Sequence, residues 1–77
     1  MALEKVRDIL KLADDCNTSV YAFDAFDLNT IDAVIQGAER AKKPVIVMLY
    51  PAMHAVCPLH IFAEMVKTCA RNAKVPV

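Results

Sequence analysis

The hexapeptide Val45-Ile46-Val47-Met48-Leu49-Tyr50 is the stretch that decides the fold. Its side chains are apolar or aromatic without any alternation with polar ones. A strand with one wet face alternates, whereas continuous apolar runs are typical of strands covered on both faces in a parallel sheet. The sequence therefore predicts a buried strand over 45–50, ended by Pro51.

A further strand and a helix precede this hexapeptide. Residues 20–26 are short, rich in β-formers and carry one charge, Asp24, near their end, which predicts a buried strand that delivers a polar group to a site. Residues 30–42 predict a helix, for which Asp27 or Asn29 can accept hydrogen bonds from the first-turn amides. Its apolar stripe consists of Ile31, Val34, Ile35, Ala38 and Ala41.

The two ends of the chain supply further elements. Apolar residues at helical spacing predict an amphipathic helix over 2–13, followed by a polar loop. Beyond Pro51 a loop leads to a helix predicted over 58–73, with Pro58 as its first residue. Residues 75–77 are expected to begin another strand.

The predicted order of elements is that of an α/β protein. Helices alternate with strands, which indicates βαβ units and a parallel sheet. Two strands and a stub leave unpaired edges and uncovered apolar faces. The sequence is thus expected to be cut from a larger fold, and to associate with a second copy or a partner chain through its open sheet edge.

Composition excludes several function classes. The 77 residues are 57% hydrophobic, and nine basic side chains balance nine acidic ones. No basic cluster attracts nucleic acid, and no apolar run approaches the roughly 20 residues of a membrane span. The charged N-terminus lacks the apolar stretch of a signal peptide, so a cytoplasmic location is expected. The three cysteines are odd in number and widely spaced, which indicates reduced thiols.

Three short motifs in register resemble class II ketose-bisphosphate aldolases. Residues 20–34 are similar to the first strand and helix of that family, in which Ala-Phe-Asn precedes a Leu-Glu-Thr helix start. Lys43-Pro44-Val45-Ile46-Val47 resembles the Ser-Pro-Val-Ile that opens the second strand, and Val75-Pro76-Val77 resembles the Val-Pro-Val that opens the third. The spacing between the motifs fits without gaps, so the resemblance covers nearly the whole chain.

The resemblance implies the N-terminal fragment of a (β/α)₈ TIM barrel: a capping helix, two βα units and the start of a third strand. It also implies a zinc-dependent enzyme of carbohydrate metabolism that cleaves or condenses a ketose bisphosphate, a phosphorylated sugar. The family's catalytic Asp-His pair follows its Val-Pro-Val, and the other zinc ligands lie further on. The chain is therefore expected to bind no zinc and to have no catalytic residue of its own.

Two positions depart from the family pattern and are the candidate substrate-binding residues. Asp24 replaces the family's asparagine at the end of the first strand, where barrel side chains point to the catalytic mouth. Tyr50 stands where the family often has a small residue beside the substrate phosphate. A carboxylate and a bulky phenol disfavour a phosphorylated substrate. Asp24 is equally well explained as a charge satisfied by loop amides or Asn29, and Tyr50 is better explained as a packing residue.

A His-x₂-Cys-x₂-His string, formed by His54, Cys57 and His60, has the residue types of a zinc site. Pro58 interrupts it and no fourth ligand is evident, so a metal site is the weaker interpretation. His60 is better explained as an exposed residue in the first turn of a helix. Three hypotheses for function follow. The chain is a noncatalytic N-terminal segment of an aldolase-type barrel, a noncatalytic module that self-associates or pairs with a partner chain through its sheet edge, or a barrel-derived binding domain that uses Asp24 and Tyr50 without zinc.

Overall fold

The computed structural model describes residues 3–77 and has the α/β character that the sequence predicts. Helices and strands alternate, and the two strands pair in parallel. The elements are α1 (Val6–Asp15), β1 (Tyr21–Asp24), α2 (Leu28–Ala41), β2 (Val45–Met48), a 3₁₀ helix (Pro51–Ala55) and α3 (Leu59–Ala70).

The sheet formed by residues 3–77 has two strands, with Tyr21 paired to Val45 and Asp24 paired to Met48. The third strand predicted over 75–77 is not formed. The backbone there nevertheless runs beside β2, because the Val45 N–H donates to the Pro76 carbonyl at 3.1 Å. One hydrogen bond places this segment at the sheet but does not make a ladder.

Both strands are shorter than predicted, because turn hydrogen bonds compete with the ladder at their C-terminal ends. The strand predicted over 20–26 ends at Asp24, and two residues later the Phe26 N–H donates to the Thr30 hydroxyl at 3.0 Å. The strand predicted over 45–50 ends at Met48.

Tyr50 instead opens the 3₁₀ helix, where its carbonyl accepts from the Met53 N–H at 2.9 Å. The sequence predicts a plain loop after Pro51, and that prediction is wrong. Proline fixes φ in the helical range and needs no amide partner in a first turn, which favours the helical turn.

The prediction of buried strands is wrong for β1 and only partly right for β2. All four residues of β1 are exposed. In β2, Val45 is buried, the next two residues are half-buried and Met48 is exposed. Apolar composition predicts a covered strand only when enough layers are present to cover it.

Helix α1 begins at Val6, later than the predicted 2–13, and the predicted start at residue 2 lies outside the described residues. The residue before the helix, Lys5, is extended, and the Glu4 N–H donates to the Val77 carbonyl at 3.0 Å, which holds this segment against residues 75–77. The helix continues to Asp15. It is followed by Asn17 at φ 54°, a left-handed conformation that asparagine tolerates better than most residues.

Helix α2 begins at Leu28, two residues before the predicted 30–42, because Asp27 rather than Asn29 is the N-cap. Helix α3 covers Leu59–Ala70 instead of the predicted 58–73. Pro58 is its N-cap rather than its first residue, with ψ 142°.

The core lies between α2, α3, β2 and the C-terminal segment. Ile31 on α2 and Ala70 on α3 are fully buried in it. Helix α1 is separate, since its buried residues Ile9 and Ala13 do not join this cluster. The buried members are Ala25, Ile31, Ile35, Ala38, Val45, Cys57, Phe62, Ala70, Val75 and Val77.

Candidate functional site

The C-terminal ends of β1 and β2 lie next to each other at one end of the sheet. Asp24 is the last residue of β1 and pairs in register with Met48, the last residue of β2. The alignment continues for one residue, because the Ala25 N–H donates to the Met48 carbonyl at 2.9 Å. Parallel strands thus bring Asp24 and the segment that leads to Tyr50 to the same C-terminal end of the sheet, where α/β proteins place their ligands.

The Asp24 side chain is exposed at this end of the sheet. The side-chain hydrogen bonds formed within residues 3–77 do not include its carboxylate, which is therefore free to meet a ligand from solvent. The alternative explanation, a charge satisfied by loop amides or by Asn29, is not supported by these contacts.

The carboxylate that does satisfy loop amides belongs to Asp27, three residues further on. It accepts from the Thr30 N–H at 2.8 Å, and the Thr30 hydroxyl accepts from the Asp27 N–H at 3.1 Å. This reciprocal capping box fixes the start of α2 a few residues after Asp24, at the C-terminal end of the sheet. The backbone and hydroxyl hydrogen bonds from Thr30 favour the charged form and hold the pKa of Asp27 below its ordinary value.

Tyr50 lies two residues beyond Met48 and is the N-cap of the 3₁₀ helix. Its side chain is 59% exposed, so the interpretation of Tyr50 as a packing residue is wrong. An exposed phenol and an exposed carboxylate at the same end of the sheet can each hydrogen-bond a hydroxyl group of a ligand. The contacts of residues 3–77 do not join the two side chains directly.

The His-x₂-Cys-x₂-His string is divided among different environments. His54 lies exposed in the 3₁₀ helix, whereas Cys57 is buried in the core at 7% exposure. His60 is exposed in the first turn of α3, as predicted. Within residues 3–77, no three histidine, cysteine, aspartate or glutamate side chains lie where they could hold one metal ion.

A polar groove between the C-terminal halves of α2 and α3 is absent from the sequence-based candidates. It has a volume of about 520 Å³. The Lys74 N–H donates to the Glu39 carboxylate at 2.8 Å across it. The Asp32-x₃-Gln36-x₂-Glu39 spacing on one helical face could have indicated it. Burial, and then the Asp32 carboxylate, raise the pKa of the Cys69 thiol in the groove wall.

The geometry defines an α/β protein with a βαβ unit that exposes Asp24 and Tyr50 at the C-terminal end of its sheet. Within residues 3–77 no helix is both long and apolar enough to cross a bilayer. The profile of the family described as fructose-bisphosphate aldolase class-II matches residues 4–77. The chain belongs to this family. Comparison with curated proteins and with solved structures gives no significant match.

Proposed function

We propose that the chain is the N-terminal segment of an aldolase-type (β/α)₈ barrel of carbohydrate metabolism. The full barrel would cleave a ketose bisphosphate by a retro-aldol reaction, and the segment is not catalytic alone. The family match over residues 4–77 carries this proposal. The parallel β1–β2 pair supports it, because successive βα units of one sheet are what such a barrel repeats.

The proposed contribution of this segment is to substrate binding. Asp24 and Tyr50 lie at the C-terminal end of the sheet, which forms the mouth of the active site in barrels of this kind. An exposed carboxylate repels a phosphate group and favours a sugar hydroxyl instead. The substrate is therefore a sugar phosphate that meets Asp24 through a hydroxyl, with its phosphates held by the rest of the barrel.

Class II aldolases are zinc-dependent, and the described residues do not suit that ion. Within residues 3–77, neither the string from His54 to His60 nor Asp24 belongs to a group of three side chains that could hold one metal ion. No step is therefore assigned to a metal held by this segment. Its proposed partners are the remainder of the barrel and the phosphorylated sugar, and its proposed location is cytoplasmic.

Complementation tests the proposal. The full chain is mixed with, or fused to, the remainder of a class II aldolase barrel that lacks its own N-terminal segment, and release of triose phosphate from fructose or tagatose bisphosphate is followed. We expect no release by the chain alone, with or without zinc, and chelator-sensitive release by the complemented barrel. Activity of the chain alone, or an inactive but folded complemented barrel, would contradict the proposal.

The role of Asp24 is tested in the same complemented barrel. Asp24→Asn restores the family's asparagine but replaces a charge-assisted hydrogen bond to the substrate hydroxyl with a weaker neutral one, so we expect a KM for the bisphosphate several-fold higher with little change in kcat. Asp32→Asn is the matched control, because it makes the same charge change on the outer face of α2. An unchanged KM in Asp24→Asn would show that the substrate does not meet this carboxylate.

A second candidate function is a noncatalytic module that self-associates through its sheet edge. The exposure of all four β1 residues favours it. A strand with both an open edge and uncovered side chains is a template for another chain.

A further inference from the structure

The C-terminal segment, residues 74–77, accepts backbone hydrogen bonds from two other parts of the chain. The Val45 N–H at the start of β2 donates to the Pro76 carbonyl at 3.1 Å, and the Glu4 N–H donates to the Val77 carbonyl at 3.0 Å. The segment therefore lies between β2 and the residues that precede α1.

Burial shows that the segment has a definite position against the core. Val75 is 8% exposed and Val77 is 7% exposed, and both belong to the core cluster, whereas Pro76 between them is half-buried. A shift by one residue would take both valines off the buried side, because residues two apart share a face of an extended segment. The position of the segment along β2 thus decides whether its apolar side chains are buried.

A proline limits how the segment can bond to the sheet. Pro76 has no N–H, so at this residue the segment offers β2 an acceptor and no donor. Within residues 3–77, the donor that joins the segment to another element is the Lys74 N–H. It donates to the Glu39 carboxylate of α2 at 2.8 Å.

The contact between Glu39 and Lys74 differs in range from the other side-chain hydrogen bonds formed within residues 3–77. Its partners are 35 residues apart. The partners of the others lie three or four residues apart, within one turn of chain. The Glu39 side chain therefore restrains how α2 and the C-terminal segment are arranged, rather than the conformation of a single turn.

The position of Glu39 in its own helix is locally unfavourable. Glu39 lies in the last turn of α2, where the negative end of the helix dipole disfavours a carboxylate. The ion pairs formed within residues 3–77 do not include it. A residue that breaks a local rule without local compensation is expected to serve a tertiary contact or a function. The hydrogen bond from the Lys74 amide is the contact that accounts for it.

Two hydrogen bonds attach the segment more firmly than one. Glu39 and Val45 are six residues apart on one side of the junction, and Lys74 and Pro76 are two residues apart on the other. A single bond from Val45 to Pro76 would tether the segment at one point. The second bond, at Glu39, also fixes its direction relative to β2.

We propose that Glu39 is a positioning residue whose carboxylate holds the Lys74 amide and so sets the place at which residues 75–77 lie beside β2. In the barrel proposed above, these residues begin the strand that follows α3. Glu39 then aligns that strand with β2 before a ladder has formed between them. This last step rests on the proposed function, whereas the restraint on residues 74–77 is a property of the chain itself.

Hydrogen exchange of the full chain, followed for each amide by NMR, tests this role. In Glu39→Ala we expect the Lys74 amide to exchange about tenfold faster, because it loses its acceptor. The Val45 amide should exchange several-fold faster, because the carbonyl that accepts from it is less firmly held. Glu39→Gln keeps an acceptor oxygen at the same reach and should restore most of the protection of both amides.

Gln36→Ala is the matched control for these exchange rates. Gln36 lines the same polar groove as Glu39, but its side chain donates within α2, to the Asp32 carboxylate at 2.6 Å. Its removal should leave the Lys74 and Val45 amides as protected as in the original chain. Circular dichroism should show equal helix content in these variants, because alanine and glutamine are both good helix formers.

Two outcomes would overturn the positioning role. A faster Lys74 amide with an unchanged Val45 amide would show that the hydrogen bond affects only its own donor. Equal acceleration of all amides, including that of Ile35 inside α2, would show a general loss of stability. If Glu39→Ala does not fold, Glu39→Asp serves instead. It keeps the charge and withdraws the acceptor by one methylene, so the same two amides should lose protection.

The complemented barrel tests the alignment of the strand. With Glu39→Ala, we expect half-maximal activity to need a several-fold higher concentration of the remainder of the barrel, with kcat unchanged at saturation. An unchanged concentration would overturn the alignment of the strand by Glu39. A complemented barrel that is inactive with the original chain would overturn the proposed function, while the exchange rates would still decide whether Glu39 restrains residues 74–77.

Discussion

Two regions of this small protein both carry apolar side chains but bury them to different extents. The packed side, formed by α2, β2, α3 and residues 75–77, buries its apolar stripes in one cluster. The open side, formed by α1 and β1, leaves apolar residues uncovered: Leu10 is 51% exposed and Tyr21 is 70% exposed. On the open side α1 buries Ile9 and Ala13, so the difference lies mainly in the neighbours available to cover the remaining apolar side chains.

The polar features follow the same division. The capping box of Asp27 and Thr30 and the contact from Lys74 to Glu39 stabilise the packed side. On the open side the Lys11–Asp15 ion pair, at 3.3 Å, is largely exposed to solvent, where such pairs contribute little. The packed side should therefore contribute most of the free energy of folding. Ligands and partners should bind to the open side and to the C-terminal end of the sheet beside it.

The largest expected effect comes from comparing a buried side chain on the packed side with an exposed one on the open side. Ile31→Ala removes a side chain with 0% exposure from the packed side and should lower the free energy of unfolding by about 2–5 kcal/mol. Leu10→Ala is the control on the open side and should cost less than about 1 kcal/mol. Urea denaturation measures both. Equal losses would show that the two sides are not different in packing.

A smaller effect concerns Asp27, the N-cap of α2 that follows the end of β1. Asp27→Ala should lower the midpoint of thermal unfolding by a few degrees at neutral pH, because the Thr30 N–H loses its acceptor. The pKa of Asp27 is lower in the folded state than its ordinary value of 3.8. Its charge therefore stabilises the fold above about that pH, and the contribution is lost as the pH falls through the lowered pKa.

The control for this prediction is Asp27→Asn, which keeps a capping oxygen and removes the charge. Its thermal midpoint should lie close to that of the original chain in acid and fall behind as the pH rises. Circular dichroism melts at pH 3 and pH 7 measure the difference. A gap between the two proteins that is the same at both pH values would mean that the Asp27 charge is not favoured in the fold.

The smallest expected effect is a difference in the rates at which the cysteines are alkylated, which compares the exposure of the two sides without a substitution. Cys16 is exposed, Cys69 is half-buried and Cys57 is buried. Burial and the Asp32 carboxylate raise the pKa of Cys69, so less of it is thiolate at mildly alkaline pH. We expect an alkylating reagent to modify Cys16 roughly tenfold faster than Cys69. Mass spectrometry of timed samples checks the order, and faster labelling of Cys69 would contradict the packing of α3 on α2.

The sequence by itself determined the order of elements, the parallel pairing and the family. Helical spacing locates α2 and α3 within a few residues, and the apolar run at 45–50 identifies β2, although the strand itself ends at Met48, because these signals are local. The three aldolase-like motifs lead to the same family as the profile match over residues 4–77. Asp24 could be named from sequence because a charge at the end of an apolar strand is itself a local signal.

Only the tertiary structure decided the strand ends, the exposure of β1 and the grooves. Strand length depends on competing hydrogen bonds, such as those that Thr30 and Met53 make in turns. Exposure depends on neighbouring layers, so the same kind of apolar segment is buried at Val45 and exposed at Tyr21. Residues 21–23 and 33–41 are distant along the chain, and the groove between them exists only because α2 folds back beside β1.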